Sequence, residues 1–171
     1  MKQAALVMVG GAALMLAACG SETSGEFKTE NGKDAEYTID KETGETSMTI
    51  TDEDGEASLR AGANVPVSLP DGFTLFPGSK VVNNAVVNQP DGQGTMITFE
   101  SDAPADKVVA HYRDAAKAAG FDIQLEMNTN GTQMVAGERK ADSATVSVTA
   151  TPGESGSVTT GQIIIATKKG G

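Results

Sequence analysis

Residues 103–128 read APADKVVAHYRDAAKAAGFDIQLEMN, and their hydrophobic spacing changes at Gly120. Before Gly120, small and apolar residues recur every three or four positions, as on one face of a helix. After it, apolar and polar residues alternate strictly from Phe121 to Asn128, which is typical of a half-buried strand. The apolar stripe of the helix contains Ala105, Val108, Val109, Tyr112, Ala116 and Ala119.

The helix is predicted to run from Ala103 to Ala119. Ser101 or Asp102 is placed to cap its first turn, which also contains Pro104. Apolar and β-branched segments on both sides of it predict further strands. These are Lys80–Asn88, Thr95–Glu100, Thr132–Arg139, Ala144–Thr151 and Val158–Thr167.

We therefore predict an α+β domain over residues 63–167, with the order β-β-α-β-β-β-β and a tail at 168–171. Its simplest architecture is one helix packed on one face of a twisted antiparallel sheet.

An acidic segment at residues 26–62 precedes this domain. It holds four short strand candidates separated by turns such as Asn31-Gly32 and Asp54-Gly55, as in a β-meander. Its apolar side chains are Phe27, Tyr37, Ile39, Met48, Ile50 and Leu59. So few apolar groups cannot hold four strands together in water without a second layer. We expect the meander to pack on the domain, on another copy or on an external partner, or to be partly disordered alone.

The first 18 residues have the layout of an export signal. Lys2 is followed by an apolar run from Ala4 to Ala18, shorter than the roughly 20 residues that a membrane-spanning helix needs. We predict a signal peptide at residues 1–18.

The end of this leader, Leu16-Ala17-Ala18-Cys19, resembles the lipobox of bacterial lipoproteins. The resemblance implies cleavage between Ala18 and Cys19, with a diacylglyceryl group on the Cys19 sulfur and commonly an acylated amino terminus, such as palmitate. Cys19 is the only cysteine in the chain, so an internal disulfide is excluded. Residues 19–25 are then expected to form a lipidated flexible tether.

The resemblance also implies a location. The cysteine is followed by Gly20 and Ser21, whereas an Asp at that first position marks inner-membrane retention in Gram-negative lipoproteins. We expect an outer-membrane protein that faces the periplasm if the source is Gram-negative, or one on the outer face of the cell membrane if it is Gram-positive.

The charge of the chain excludes some partners. After Cys19 there are 12 Lys and Arg against 23 Asp and Glu, a formal net charge of −11. Nucleic-acid binding, which needs clustered basic residues, is excluded on this ground. Electrostatic attraction to anionic lipid is disfavoured as well. We therefore expect the acyl anchor alone to attach the protein to the membrane.

Few residues suggest chemistry. His111 is the only histidine and lies at the edge of the helical apolar stripe, and no cofactor motif is present. A weak calcium candidate is formed by Asp52, Asp54 and Glu56, although EF-hand spacing would place Ile50 and Ala61 at ligand positions.

The sequence favours a non-enzymatic envelope lipoprotein that acts as an interaction or accessory module, with an envelope protein as partner. An alternative is a lipid-anchored protein that binds a small cationic or apolar ligand between helix and sheet, lined by Met96, Met127 and Met134. A third hypothesis is a hydrolase with His111 as general base.

Overall fold

The computed structural model describes residues 21–53, 55–153 and 158–168. The predicted signal peptide with Ala18, the lipidation site Cys19, the calcium candidate Asp54 and most of the tail lie outside these ranges. Among the helices of the described part, none combines the length and hydropathy needed to cross a bilayer.

Ten strands and one helix make up the described structure. They are β1 (Glu22–Lys28), β2 (Asp34–Asp40), β3 (Thr46–Asp52), β4 (Gly55–Gly62), β5 (Lys80–Gln89), β6 (Gly92–Ser101), α1 (Ala105–Ala118), β7 (Asp122–Thr129), β8 (Thr132–Arg139), β9 (Ala144–Pro152) and β10 (Thr159–Lys168). Each strand predicted from periodicity overlaps one of these. The tether predicted for residues 19–25 overlaps β1, which begins at Glu22.

The predicted fold class is wrong. The chain forms a single antiparallel sheet in the order β1-β2-β3-β4-β5-β6-β10-β9-β8-β7, with 59% strand and 10% helix. It is therefore mostly β, and the acidic meander is part of the main sheet. The physical reason is that β4 pairs directly with β5, which places Leu59 opposite Val87 and Ala61 opposite Ala85. A free edge strand exposes unpaired backbone N–H and C=O groups. The pairing of β4 with β5 satisfies these groups on both strands, so that neither strand is an edge.

The core lies between α1 and one face of the second half of the sheet. The helix contacts β7, β8, β9 and β10, and its buried residues are those of the predicted stripe, except for Ala119, which is partly buried. From the sheet they meet Ile97, Phe99, Val135, Val146, Val148, Ile163 and Ile165, each at most 3% exposed.

The ends of α1 differ in how they are stabilised. At the start, Pro104 is the N-cap and makes no side-chain capping bond, so the predicted cap by Ser101 or Asp102 is wrong. The Ser101 hydroxyl instead accepts the Ala103 N–H at 3.2 Å. At the other end, Gly120 has φ of +84°, a conformation that favours glycine, and it ends the helix as predicted.

The loop between β4 and β5 crosses the same side of the sheet as the helix. Asn84 of β5 is fully buried, and its Nδ2 donates to the carbonyls of Val65 at 3.3 Å and Pro66 at 2.9 Å. Nearer the helix, the Phe76 N–H donates to the Tyr112 hydroxyl at 3.0 Å. The loop is therefore tied to both β5 and α1.

Candidate functional site

The register of the strands divides the sheet into two faces. Cross-strand partners point to the same side, so the core residue Ile97 places Asn84 and Gly62 on the helix side. The next partners, Met96 with Ala85 and Ile164, point away from the helix. We call this second side the open face, because α1 and the 63–79 loop both lie on the other one.

Charged and apolar residues are segregated between the two faces of β1–β4. Glu26, Glu36, Glu56 and Arg60 are on the helix side, and Asp52 is the charged residue that the register of these four strands places on the open face. The open face carries the six apolar residues expected of the meander, which we call the apolar patch: Phe27, Tyr37, Ile39, Met48, Ile50 and Leu59.

Aromatic contacts organise one end of the apolar patch. The rings of Phe27 and Tyr37 are 6.3 Å apart and tilted by 51°. The Tyr37 ring lies across β1 at Gly25, where an added Cβ would come within 2.8 Å of it. Phe27 and Ile39 are still 43% and 39% exposed, so the patch is only partly covered by its own side chains.

The open face also contains a depression at one end of the sheet, which we call the trough. It consists of two adjoining cavities of about 490 and 260 Å³ that share Gln89 and Asp91. The floor is formed by apolar and small residues, namely Ile50, Ala57, Val87, Gly94 and Ala166, and the rim carries Lys33, Asp52, Asp91 and Lys168. The Lys33 ammonium pairs with the Asp52 carboxylate at this rim.

The trough can accept an apolar group with a polar end. At Gly94 an added Cβ would find its nearest atom, the Ile165 carbonyl oxygen, at 4.0 Å, so the floor is open there. Ligand sites combine a mostly apolar lining with a few polar groups that orient the ligand. Another depression, of about 480 Å³ on β1–β3, is lined by Phe27 and Ala35 together with four charged residues, Glu26, Lys28, Asp34 and Glu36, so it lacks an uncharged floor.

The structure does not place a ligand cavity where we expected one. The space between helix and sheet is filled by core side chains such as Tyr112 and Phe99, both fully buried. Met96, Met127 and Met134, expected to line that space, all lie on the open face.

His111 is placed against aromatic rings. Its ring centroid is 5.4 Å from that of Phe76 and 5.0 Å from that of Tyr112, and both contacts are edge-to-face. Its Nε2 lies 3.5 Å from the Thr74 carbonyl oxygen, at the limit of a hydrogen bond. These contacts hold the 63–79 loop against the helix.

The calcium candidate is not assembled by the described residues. Asp52 is on the open face, whereas Glu56 pairs with Thr51 on the other face, and Asp54 lies outside the described ranges. Across residues 21–53, 55–153 and 158–168, no group of three or more His, Cys, Asp or Glu side chains is arranged to hold a metal ion.

Comparison with known proteins links the second half of the chain to one family. The model of a family described as START domain-like matches residues 81–162, or 82 of the 171 residues. No curated protein and no solved structure matches the chain. A domain of this description fits a helix-grip fold, which suggests ligand binding. Residues 81–162 are thus similar to a START-like domain and include β6, α1 and most of the sheet on which the helix packs.

Proposed function

We propose that this protein is a lipid-anchored envelope protein whose body binds a small amphipathic ligand in the trough. The observation that carries the ligand proposal is the uncharged floor of the trough beside a rim with both signs of charge. The similarity of residues 81–162 to a START-like domain supports ligand binding in general, and of the trough these residues include the part from Val87 to Gly94. The proposed activity is binding, without a chemical step.

The anchor is supported by the lipobox Leu16-Ala17-Ala18-Cys19. Two or more acyl chains hold a protein durably on a bilayer, while one chain alone binds only marginally. A Gram-negative host would place the protein on the outer membrane facing the periplasm, and a Gram-positive host on the outer face of the cell membrane.

The mass of the protein purified from its own host tests the anchor. We expect a chain that begins at Cys19 and carries the added mass of two or three fatty acyl groups. The variant Cys19→Ala should move from the detergent phase to the aqueous phase on detergent partitioning. A wild-type chain that still begins with Met1, or that has no fatty-acyl mass, would overturn the proposed anchor.

The shape of the trough supports an elongated ligand. Its two cavities join at Gln89 and Asp91 and run from the turn between β1 and β2 across to β10. An alkyl chain on Ile50, Ala57 and Val87 would remove apolar surface from water, at roughly 25 cal/mol per Å². A polar head would then lie at the rim, beside the ion pair of Lys33 and Asp52.

Thermal unfolding in the presence of amphiphiles tests ligand binding. We choose dodecanoate and dodecylphosphocholine as probes, below their micellar concentrations, because they share a tail and differ in head-group charge. A ligand that binds the folded state raises the melting temperature in proportion to the logarithm of its concentration once the site is saturated. We expect such a rise with at least one probe.

A matched pair of variants assigns the binding to the trough. Val87 is on its floor, whereas the adjacent Val86 faces Thr95 on the helix side. Val87→Gln should reduce the thermal shift at least severalfold, and Val86→Gln should retain it. No shift with either probe, or equal losses in the two variants, would exclude the trough as the binding site.

A further inference from the structure

We infer that the apolar patch on β1–β4 lies against the bilayer that holds the lipid on Cys19. The partner is the neutral, zwitterionic surface of a phospholipid membrane. The inference rests on the proposed lipid anchor and adds to it an orientation of the body, which an anchor alone does not specify.

The first argument is that the apolar patch needs a second layer. Strands β1–β4 join the rest of the sheet through the pairing of β4 with β5, but α1 and the 63–79 loop lie on the opposite side of the sheet. Neither of these elements covers the open face, where Phe27 and Ile39 remain 43% and 39% exposed. Exposed apolar patches of this kind mark interaction surfaces for proteins or membranes.

The second argument is the distance from the anchor. β1 is an edge strand of the sheet and begins at Glu22, three residues after Cys19. Three residues span at most about 10 Å. With a lipid on Cys19, β1 is held at the membrane surface, and Phe27 is on this strand. The bilayer is thus the partner that the patch meets at any protein concentration.

The third argument is the charge distribution. Residues 22–60 contain 12 acidic and 4 basic residues, a net charge of −8, which would be repelled by an anionic surface. The register turns Glu26, Glu36 and Glu56 away from the apolar patch. A neutral bilayer therefore meets the apolar patch and, at its border, Asp52 paired with Lys33, while Glu26, Glu36 and Glu56 remain in water. A charged protein partner would be attracted to the opposite face instead.

The fourth argument is the type of side chain at the edge of the patch. Phe27 and Tyr37 are in contact beside the anchored edge, with ring centroids 6.3 Å apart. Tyrosine, whose side chain has one apolar and one polar end, is enriched at the interface of membrane and water, and Phe27 adds apolar surface beside it. Because the trough opens on this same face, an amphipathic ligand would reach it from the bilayer.

Tryptophan fluorescence can test the orientation, since the chain contains no tryptophan. Two single variants place the reporter on the two faces of one strand: Phe27→Trp on the apolar patch and Ser24→Trp on the helix side. The purified lipidated proteins are reconstituted into phosphatidylcholine vesicles with and without brominated acyl chains, which quench tryptophan at short range. We expect a blue-shifted emission and loss of most intensity for Phe27→Trp, and little change for Ser24→Trp.

Simple proximity to the anchor predicts the reverse result, because Ser24 is closer to Cys19 along the chain than Phe27. Equal quenching of the two reporters, or stronger quenching at position 24, would overturn the inferred orientation while the anchor stands. Ile39→Trp is a second patch reporter if Phe27→Trp does not fold, as judged by circular dichroism.

Two further outcomes are distinguishable. A protein that does not float with the vesicles lacks the anchor, and both proposals then fail. A blue shift of Phe27→Trp that grows with protein concentration and needs no vesicles would identify a second copy as the partner and overturn the membrane inference alone.

Discussion

The Tyr112 hydroxyl accepts a hydrogen bond from the backbone N–H of Phe76 at 3.0 Å, and it joins the helix to the loop that precedes β5. Tyr112 is fully buried, and the bond itself is partly buried. It connects segments 36 residues apart in the chain. The phenol is thus part of the core and also the anchor of a loop.

The variant Tyr112→Phe should be less stable than the wild type by about 1–3 kcal/mol, because the Phe76 N–H loses its acceptor in a partly buried position. Chemical denaturation measures this difference. Tyr37→Phe makes the same change in the apolar patch, and we expect it to be nearly neutral. Equal effects of the two variants would contradict the role of the Tyr112 bond.

Tyr112 should also titrate at unusually alkaline pH. Burial raises the pKa of its hydroxyl above the ordinary value of 10, and the bond from the Phe76 N–H opposes this only in part. In Tyr37→Phe, Tyr112 is the one remaining tyrosine, so ultraviolet absorbance reports its ionisation alone. We expect a midpoint above 10 in the folded protein.

The sign of the linked stability change follows from this shift. The folded state holds the Tyr112 proton more tightly than the unfolded state. The stabilisation that protonated Tyr112 gives the fold is therefore fully present below pH 10. It is lost as the pH rises from 10 through the raised pKa. Tyr112→Phe should lack this part of the alkaline destabilisation, and an unchanged alkaline profile would contradict the assignment.

Two glycines of the sheet should respond very differently to alanine. At Gly161 of β10 an added Cβ would lie 2.3 Å from the Phe99 ring, which is fully buried. Gly161→Ala should cost about 1–3 kcal/mol or more, since the buried ring would have to shift to admit the methyl group. Gly94→Ala is the matched control on β6, and its effect should stay within about 0.5 kcal/mol. Denaturant midpoints compare them, and a tolerated Gly161→Ala would show that Phe99 can repack.

The ion pair of Arg139 and Asp142 should make stability depend on acid pH. The Arg139 guanidinium donates to both carboxylate oxygens of Asp142, at 3.0 and 2.7 Å, and lowers the pKa of Asp142. The same guanidinium donates to the Ala119 carbonyl at 3.0 Å and lies 4.7 Å above the Phe121 ring. The pair therefore supports the end of the helix.

The stabilisation from Asp142 is present above its unfolded pKa, about 3.9, and is lost as the pH falls through the lowered folded value. Wild type should be more stable than Asp142→Asn at neutral pH, and the two should converge in acid. In an Arg139→Gln background, the effect of Asp142→Asn should lose most of its pH dependence. A difference that stays constant with pH would contradict this account.

Local periodicity was sufficient to locate the strands and the helix. The alternation after Gly120 predicts β7, and the spacing of Val108, Tyr112 and Ala116 predicts the buried stripe of α1. The helical stripe faces the core as its spacing predicts. In β7 the expected half-burial is wrong beyond Ile123, because a register irregularity between Ile123 and Leu125 turns Leu125 and Met127 to the open face, where both are 44% exposed. The predicted cap at Ser101 or Asp102 was wrong because residue type alone does not decide which of several neighbouring residues becomes the N-cap. The backbone geometry makes Pro104 the N-cap.

The candidate site could be predicted only in part. Alternation identified the six residues of the apolar patch and their common face, but the residues of the trough come from five strands distant in sequence. Val87 and Ala166 are neighbours there because β5 and β10 both pair with β6. The spacing of residues along the chain does not predict which strands become neighbours in the sheet.

The amino-acid sequence alone determined the strand and helix positions, the acidic balance and the resemblance of Leu16–Cys19 to a lipobox, since each depends on neighbouring residues or on simple counting. Tertiary structure decided that the meander continues the main sheet through β4 and β5, that β10 lies between β6 and β9, and that an apolar face remains open. The reason is that strand pairing uses backbone groups that are alike in all strands, so the order of strands is selected by the packing of the whole chain.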